Sequence, residues 1–225
     1  MKVIVVRVGT ITHPMTQSII RMLVDKKIEV SICTTKNQVN LYDLYEKKVH
    51  VYEIDEDYTK PANIIHKFLR MFVIRKKLWK ETDKIYDDDS ILWVGHNITI
   101  KHLGYKLLNY RYILHLNELN ENIAYWPQTP FCGLSTEKIG NTALAVVVPE
   151  YNRAHITKAV WKLNELPFIM PNKPYLSQQI NKNTGITAFE EAREIIESLK
   201  GRKIILYQGG ISKERKLDAF ISAVG

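Results

Sequence analysis

The sequence predicts an α/β protein with a Rossmann-like parallel sheet that carries helices on both faces. Three observations support this fold class. Short runs of β-branched and other apolar residues recur along the chain, and they are apolar throughout, as in strands buried on both faces. Helical segments with one apolar side separate these runs. Strands and helices that alternate in this way form parallel sheets covered by helices.

The predicted elements alternate regularly along most of the chain. Strands are expected over residues 2–8, 28–33, 49–54, 91–94, 112–116 and 143–148. Helices are expected over residues 13–27, 42–47, 61–80, 98–108 and 152–163. Pro61 favours a helix start, because proline fits the first helical position.

A proline-rich stretch predicts the domain organisation. Residues 166–175 contain three prolines, which is typical of a connection between domains. We therefore expect a first domain over residues 1–170. Residues 171–225 are expected to hold the linker, a helix over 188–199 and the start of a second, truncated Rossmann-like domain.

Composition limits the class of protein. Of 225 residues, 45% are hydrophobic and 25% are charged, which is ordinary for a globular protein. No run of apolar residues is long enough to span a membrane, and the chain enters a strand directly, so no signal peptide is expected. Cys33 and Cys132 lack metal-site spacing and fit a reducing cytoplasm. The net charge of +8 favours anionic partners such as nucleic acid, a lipid surface or nucleotide phosphates.

Polar residues and one glycine cluster where predicted strands end. They are Gly9, Thr10 and His13 after the first strand, Thr34 and Thr35 after the second, His96 and Asn97, then His115, Asn117 and Glu118, and finally Glu150 and Arg153. Ligands of open α/β sheets bind at the carboxyl ends of the strands. Imidazole, hydroxyl, amide, carboxylate and guanidinium groups at one edge suit a polyol, which needs many hydrogen-bond partners. The simpler alternative is that these residues are polar because they reach solvent.

An anion site is predicted near the end of the sequence. Residues 203–207 form an apolar strand run, Gly209 and Gly210 break it, and Ser212 caps an amphipathic helix. Free N–H groups and the helix dipole attract an anion at such a turn. Arg215, one turn into the helix, is placed to contact a phosphate. An ordinary strand–helix unit without a ligand is the alternative.

This last stretch resembles the start of the donor-binding domain of GT-B glycosyltransferases, and most of all of family 4. The matching residues are the turn Gly209-Gly210, the basic Arg215 and the following Leu217-Asp218. Gly210 stands where many members have arginine, so the basic contact would rest on Arg215. The resemblance implies that this loop faces the diphosphate of a nucleotide-sugar.

The first part of the chain resembles the acceptor-side domain of the same family. His96-Asn97 stands where members often have His-Asp, and residues 116–119 (LNEL) resemble a Ser-His-Glu-Leu element with Asn117 in place of its histidine. Residues 148–154 (VPEYNRA) resemble the segment before the last helix of that domain, and the prolines of 166–175 resemble the junction between the domains. The order of these motifs is stronger evidence than any one of them.

The resemblance implies an enzyme that moves a sugar from a nucleotide-sugar to a glycan or a lipid-linked acceptor, with retention and with neither metal nor another cofactor. Such enzymes commonly build bacterial surface polysaccharides. The implied catalytic residues are His96, His115 and Glu118; the implied acceptor-binding residues are Gly9, Thr10, His13, Asn97, Asn117 and Arg153; the implied donor-phosphate ligands are Gly209, Gly210 and Arg215. The family's donor-binding glutamates have no counterpart before Gly225, so we expect the chain alone to be inactive.

Two other interpretations fail on the sequence. The stretch VRVGTIT holds the single glycine Gly9 and is therefore no dinucleotide fingerprint; the resemblance implies that this glycine leaves room for substrate. The run Asp87-Asp88-Asp89 suggests a metal site, but it precedes the strand over 91–94. It is therefore expected at the amino edge of the sheet, away from the pocket, as a solvated loop.

The helix over 61–80 has an apolar side and a basic side. Its apolar residues are Ile64, Ile65, Phe68, Leu69, Phe72 and Val73, and its basic ones are His66, Lys67, Arg70, Arg75, Lys76, Lys77 and Lys80. One interpretation is a helix packed on the core with a solvated face. The other is a surface that touches anionic lipid headgroups, as suits a peripheral enzyme at the inner face of a membrane.

A second class of function stays open on the sequence, namely a non-catalytic basic α/β module that binds nucleic acid or an anionic membrane. The net charge of +8 supports it. The basic residues are spread along the chain and no nucleic-acid motif is recognised, so nucleic acid is not expected as a partner.

Overall fold

A computed structural model describes residues 1–9, 11, 14–36, 48–58, 60–119, 123–124, 133–173, 197–202 and 221–222. The chain divides into two compact units, Met1–Ser177 and Gln178–Gly225, and the fold below belongs to the first. The predicted helix over 42–47, the strand over 203–207 and the glycine turn with Arg215 lie outside the described residues, as do Thr10 and His13. The domain boundary after residue 170 stays a prediction.

The described part of the chain contains a seven-stranded parallel sheet and a separate antiparallel pair. In chain order the strands are β1 (Lys2–Arg7), β2 (Glu29–Thr35), β3 (His50–Ile54), β4 (Ser90–Gly95), β5 (Tyr112–His115), β6 (Ile123–Ala124), β7 (Gly133–Leu134), β8 (Ala145–Val148) and β9 (Phe168–Ile169). The large sheet has the order β3-β2-β1-β4-β5-β8-β9, and β6 pairs with β7. The predicted fold class is confirmed.

Helices cover both faces of the sheet. They are α1 (Pro14–Asp25), α2 (Ile64–Ile85), α3 (Asn97–Leu103) with a following 3-10 helix (Gly104–Asn109), α4 (Thr136–Thr142) and α5 (Tyr151–Trp161). Helix α1 packs Ile19, Ile20 and Leu23 against one face. Helices α2 to α5 pack against the other face, where the larger core cluster lies. This division follows from right-handed crossovers, which put helices on opposite faces when the strand order reverses.

The central strands are buried because their residues are apolar on both sides. In β1, Ile4 and Val6 face the larger core, whereas Val3 and Val5 face α1. Val3 pairs with Val30 of β2 on one side and with Ile91 of β4 on the other. The absence of alternation in the sequence of this strand therefore reflects two covered faces.

Helix α2 differs from its prediction at both ends. It begins at Ile64 and not at Pro61, because Asn63 is the cap and its side chain accepts a hydrogen bond from the His66 backbone N–H at 2.9 Å. It continues to Ile85, beyond the predicted end at Lys80. Its buried residues lie toward its second half, and they are Met71, Ile74, Leu78, Trp79 and Thr82.

The helix predicted over 98–108 is two helices. Helix α3 ends at Leu103, and Gly104 then adopts φ +67 and ψ −161, which only glycine adopts readily. Arg75 of α2 covers this end, with Nε donating to the His102 carbonyl at 2.7 Å and Nη2 to the Lys101 carbonyl at 2.9 Å. The guanidinium thus satisfies two carbonyls that the ended helix leaves unpaired.

The structure adds elements that the sequence pattern does not predict. Helix α4 and the pair β6–β7 lie between the strands predicted over 112–116 and 143–148. Strand β9 lies within residues 166–175, the predicted linker, where it pairs Phe168 with Val147 of β8. That part of the stretch is therefore the seventh strand of the sheet. Two-residue strands have no periodicity that a sequence pattern could detect.

Candidate functional site

The candidate site lies at the carboxyl edge of the sheet, between β1 and β4. The strand order runs outward in both directions from this pair, so the crossovers on either side leave a crevice beyond their carboxyl ends. Strand β1 ends at Arg7 and β4 ends at Gly95. His96 and Asn97 follow the end of β4 directly, and Gly9 lies two residues after the end of β1.

The backbone after β1 is held by two buried threonines. The Val8 N–H donates to Thr99 Oγ1 at 3.0 Å, and the Gly9 N–H donates to Thr35 Oγ1 at 2.9 Å. Both threonines are fully buried. These two amides are thus occupied by the protein itself, unlike the free amides of a phosphate-binding turn.

Gly9 is required here by its backbone conformation. Its φ is +89, which is strained for any L side chain. A Cβ at this position would lie 3.6 Å from Cδ1 of Tyr58, an ordinary contact distance. The Tyr58 ring in turn lies edge-on to His102, with centroids 5.5 Å apart. Tyr58 is therefore part of this edge, although no pattern in the sequence singles it out.

His96 has an unusual backbone conformation, with φ +73 and ψ 140. Its N–H donates to the His115 carbonyl at 3.0 Å, which joins the ends of β4 and β5. Its carbonyl accepts from the Thr99 N–H at 3.0 Å, and its Nδ1 accepts from the Ile98 N–H at 3.2 Å. Backbone and ring are therefore both fixed in place.

Three side chains at this edge carry buried polar atoms without a hydrogen-bond partner in the described part of the protein. The atoms are Nδ2 and Oδ1 of Asn97, Oδ1 of Asn117 and Nε1 of Trp93. Asn117 as a whole is only 8% exposed. A buried polar atom without a partner costs about 1–3 kcal/mol, so native proteins keep few of them. A polar ligand that bonds to these atoms of Asn97, Asn117 and Trp93 would be stabilised at this edge.

A buried arginine adjoins the same group. Arg7 is 7% exposed, and its Nη1 donates to Thr16 Oγ1 at 2.9 Å. Burial lowers the pKa of its guanidinium. Together with Trp93, His115 and Asn117 it lines a cavity of about 10 Å³, the size of one water molecule. No motif in the sequence points to Arg7, although a charge inside an otherwise apolar strand run is a signal that could have found it.

The end of β5 is held by an arginine from α5. Arg153 donates through Nη1 to the Asn117 carbonyl and through Nε to Glu150 Oε1 at 2.9 Å. His115 is 2% exposed, and its ring lies edge-on to Trp93 at 6.0 Å between centroids. Arg153 therefore fixes the backbone that carries Asn117.

The structure thus connects most of the described candidates through direct contacts. Thr99 joins the β1 loop of Gly9 to His96, His96 joins β4 to His115, and Arg153 joins α5 to Asn117. Glu118 follows in the same loop and is exposed. The roles assigned to these residues, and to Thr10, His13, Gly209, Gly210 and Arg215 outside the described residues, stay predictions.

The acidic run lies at the opposite edge. Asp87 and Asp89 precede β4, where the Asp89 carbonyl accepts from the Lys2 N–H at 3.2 Å. Asp87 Oδ1 accepts from Ser90 Oγ at 2.6 Å, and this bond lowers the pKa of the Asp87 carboxyl. The predicted position at the amino edge is confirmed. Among the described residues, no group of three or more His, Cys, Asp or Glu side chains is placed to hold a metal ion.

The first half of α2 exposes a row of apolar side chains, which we call the α2 patch. It consists of Ile64, Ile65, Leu69, Phe72 and Val73. The expectation that these residues pack on the core is wrong, since each is at least 42% exposed. Arg70 lies beside the patch and ties it to the loop of Tyr58, donating to the Asp57 carbonyl at 3.3 Å and to the Lys60 carbonyl at 2.9 Å.

No described helix has the length and apolar character that crossing a membrane requires. The α2 patch is exposed on a helix that also carries many charged residues. Lys67, Lys76 and Lys80 are exposed on the same helix, so apolar and cationic groups occur together.

Comparisons with known proteins give matches only among solved structures. No protein-family model matches the sequence, and no curated protein matches it significantly. UGT89C1 of Arabidopsis thaliana, solved in complex with UDP-L-rhamnose, aligns with 90% of this chain and 55% of its own, at a TM-score of 0.52 and 11% identity.

Two further structures align less closely. MurG of Acinetobacter baumannii aligns with 68% of this chain and 42% of its own, at a TM-score of 0.43 and 12% identity. The N-terminal domain of trehalose-6-phosphate phosphatase of Candida albicans aligns with 71% of this chain and 42% of its own, at 0.42 and 10%. The chain spans about half the length of these structures or less. At such identities the likeness concerns the fold alone, a Rossmann-like α/β fold that this chain shares with UGT89C1.

Proposed function

We propose that this chain is the acceptor-side part of a glycosyltransferase similar to family 4, together with the start of the part that binds the nucleotide-sugar. The observation that carries the proposal is the set of buried side-chain amide atoms, those of Asn97 and Asn117, at the point where the strand order reverses. An amide both donates and accepts, as a sugar hydroxyl does. A polyol bound at this edge would supply the missing partners.

The β1 loop argues for an acceptor and against a nucleotide at this edge. The amides of Val8 and Gly9 already donate to threonine hydroxyls, so they are not available to cradle a phosphate. The nucleotide-sugar is therefore assigned to the second part of the chain, at Gly209, Gly210 and Arg215. The UDP-sugar in the UGT89C1 structure is in keeping with a donor of this class.

The proposed roles follow the resemblance to family 4. His96, His115 and Glu118 act at the reacting groups, and the acceptor is bound by Gly9, Thr10, His13, Asn97, Asn117 and Arg153. The sugar is transferred with retention and without a metal ion or another cofactor. The acceptor is a glycan or a lipid-linked glycan of a bacterial surface polysaccharide, and the protein works at the cytoplasmic side of the membrane.

The α2 patch is assigned to anionic lipid. Its apolar side chains would enter the headgroup region, and Lys67, Arg70 and Lys76 would lie near the lipid phosphates. The loop of Tyr58, which borders Gly9, is hydrogen-bonded to Arg70 of this helix. A lipid-linked acceptor held at the patch would therefore reach the candidate site along a short path.

Binding of simple sugars tests the acceptor site independently of turnover. The ¹⁵N-labelled chain is titrated with methyl glycosides of glucose, galactose, mannose and N-acetylglucosamine, and amide shifts are followed by NMR. We expect the shifts to concentrate at Gly9, Asn97 and Asn117 for at least one glycoside.

A variant of the site checks that this binding occurs there. Asn117→Ala should weaken binding of that glycoside about tenfold. The control Asn109→Ala, an exposed asparagine before β5, should leave binding unchanged. Absence of shifts with all four glycosides would contradict the proposal.

Vesicle co-sedimentation tests the lipid surface. We expect the chain to sediment with phosphatidylglycerol vesicles and to stay in solution with phosphatidylcholine vesicles. Leu69→Glu in the α2 patch should abolish sedimentation. Ile156→Glu changes a comparably exposed residue of α5 and should have no effect. Equal binding to both kinds of vesicle, or binding to neither, would remove the lipid assignment.

A further inference from the structure

We propose that one buried water molecule binds between Trp93 and Asn117 and holds the Asn117 amide in place for the sugar. The water accepts from Trp93 Nε1 and donates to Asn117 Oδ1, which leaves Asn117 Nδ2 to donate to a sugar hydroxyl. The inference rests on the proposed function, since it divides the two ends of one amide between a bound water and the sugar. Trp93 is thereby a positioning residue of the site.

The water lies in the cavity that Arg7, Trp93 and Asn117 line. The volume of this cavity is about 10 Å³, which suits one water and is too small for a sugar ring. Strand β4 supplies Trp93, helix α1 supplies Thr16, and Asn117 follows β5. Three elements of the fold therefore meet at a space of the size of one water.

Two residues of this cavity carry a buried atom that has no hydrogen-bond partner in the described part of the chain. Trp93 Nε1 can only donate, whereas Asn117 Oδ1 can only accept. Asn117 is 8% exposed, so bulk solvent reaches it poorly. Native proteins bond nearly all buried polar atoms. Because the two residues line the same space, one bound molecule can satisfy both atoms.

The combination of a donor and an acceptor identifies the ligand as water. A chloride ion would be attracted by the Trp93 N–H but repelled by Asn117 Oδ1. A metal cation would be repelled by that N–H and by the guanidinium of Arg7, which lines the same cavity. A water molecule both donates and accepts, and buried waters typically make about three hydrogen bonds to groups that are otherwise unsatisfied.

Thr16 supplies the third partner. Its Oγ1 accepts from Arg7 Nη1 at 2.9 Å, so the hydroxyl keeps its own proton for another acceptor. Thr16 is 6% exposed and lines the cavity, and we assign this proton to the water oxygen. The water thus accepts from Trp93 and Thr16 and donates to Asn117. It joins α1 and β4 to the loop after β5.

The water orients the part of Asn117 that the backbone leaves free. The main chain is already held, because the Asn117 carbonyl accepts from Arg153 Nη1. The side-chain amide is planar, so a bond at Oδ1 also sets the direction in which Nδ2 donates. A donor that is fixed before the sugar arrives loses less conformational entropy on binding. The water therefore contributes to affinity for the sugar as well as to the stability of the fold.

Water contact at the indole nitrogens is measured first, on the ¹⁵N-labelled full chain without a ligand. Rotating-frame Overhauser cross-peaks between water and the indole N–H protons report a bound water, and Trp93→Phe and Trp79→Phe assign the two signals. We expect a cross-peak at Trp93. Trp79 is the matched control and should show none, because its buried Nε1 donates to the Leu103 carbonyl at 2.8 Å. Absence of the cross-peak at Trp93 would overturn the inference.

The same measurement at a saturating concentration of a methyl glycoside distinguishes water from sugar. We expect the cross-peak at Trp93 to persist, since the cavity is too small for a sugar ring. A cross-peak that disappears when the glycoside binds would mean that a sugar hydroxyl takes the place of the water. That result would overturn the inference and leave the proposed function intact.

Trp93→Phe tests the positioning role, because it keeps an aromatic ring and removes the donor. The side-chain NH₂ signals of Asn117 should shift, and glycoside binding should weaken about threefold. Trp79→Phe removes a buried indole donor elsewhere and should lower the melting temperature without changing the Asn117 signals or glycoside binding. Unchanged Asn117 signals and unchanged binding in Trp93→Phe would contradict the positioning role.

Failure of the inference and failure of the proposed function give different results. If no glycoside binds the unaltered chain while the cross-peak at Trp93 is present, the proposed function fails and the water site stands. If a glycoside binds and the cross-peak is absent, only the inference about the water fails.

Discussion

Helix α3 has a residue with positive φ at each of its ends. At the end toward the amino edge of the sheet this residue is Gly104, with φ +67, and the carbonyls beside it are bonded by Arg75. At the carboxyl edge it is His96, with φ +73, followed by Asn97 and its buried amide. The same backbone requirement is met without strain at one end and with strain at the other.

The two edges of the sheet differ in the same way. At the amino edge, Tyr110 and Lys106 both donate to Asp83, and the Tyr110 ring stacks on Trp79 with centroids 4.7 Å apart. At the carboxyl edge, Asn97 and Asn117 retain buried polar atoms without a partner in the described part of the chain. The amino edge is thus built for stability, whereas the carboxyl edge retains features that cost stability, as binding sites do.

The largest expected effect concerns His102, in the last turn of α3. Burial lowers the pKa of its imidazole to about 4, below its ordinary value of 6.5. The unfolded chain therefore binds a proton between these two pH values and the folded chain does not. Stability should be fully present above pH 6.5 and should fall by about 3 kcal/mol as the pH drops toward 4. Urea unfolding at several pH values measures it.

Two variants check that this pH dependence belongs to His102. His102→Gln removes the titrating group and should flatten the decline between pH 6.5 and 4. His66→Gln changes an exposed histidine of α2 and should leave the decline as it is. A decline of equal size in all three proteins would assign it to carboxylates and not to α3.

Gly104→Ala should be the next most damaging change. Alanine is strained at this φ, and its Cβ would lie 3.0 Å from Cζ of Arg75, whose guanidinium holds the end of α3. We expect a loss of about 2 kcal/mol in the free energy of unfolding, measured by urea denaturation. His96→Gly is the matching change at the other end of α3. Glycine should stabilise the protein at position 96, whereas the loss of glycine at position 104 should destabilise it.

Thr99→Val should have a smaller effect on stability and a clear effect at the carboxyl edge. The substitution keeps the shape of a fully buried side chain but removes the acceptor of the Val8 N–H. We expect a loss of about 1–2 kcal/mol from the unpaired amide. The NMR signal of Gly9 should shift, and Thr99→Ser should restore it. An unchanged Gly9 signal would show that the threonine does not position this loop.

Cys33 should show no reaction at all in the folded protein. It is fully buried, and burial raises the pKa of its thiol to about 11. In a Cys132→Ser background, a thiol reagent such as DTNB should therefore label Cys33 only at the rate of unfolding. Rapid labelling at pH 8 in the absence of denaturant would mean that the core between β2 and α2 opens readily.

The fold class is predictable because its signals are local. Each central strand is apolar throughout, each long helix has an apolar stripe, and turn residues separate them, so the alternation is visible within short windows of sequence. The errors occur where the signal is not local. The amphipathic start of α2 looks like a core-packed segment, yet Ile65 and Leu69 are exposed because the sheet lies under the second half of the helix.

The candidate site is predictable in part for a related reason. Residues that follow parallel strands must meet at one edge, so strand direction alone is enough to group Gly9, His96, His115 and Asn117. The partners that hold them come from distant segments, such as Thr99 for the β1 loop and Arg153 for the β5 loop. No sequence pattern links residues 91 or 36 positions apart.

The sequence by itself determined the longer strands, the long helices and the edge of the sheet at which the candidate residues meet, because hydrophobic period and chain direction are properties of the chain. Only the tertiary structure decided the strand order, the burial of Arg7 and the strained angles of His96, because these depend on which segments become neighbours. A charge or a backbone angle acquires its cost only from the surroundings into which folding places it.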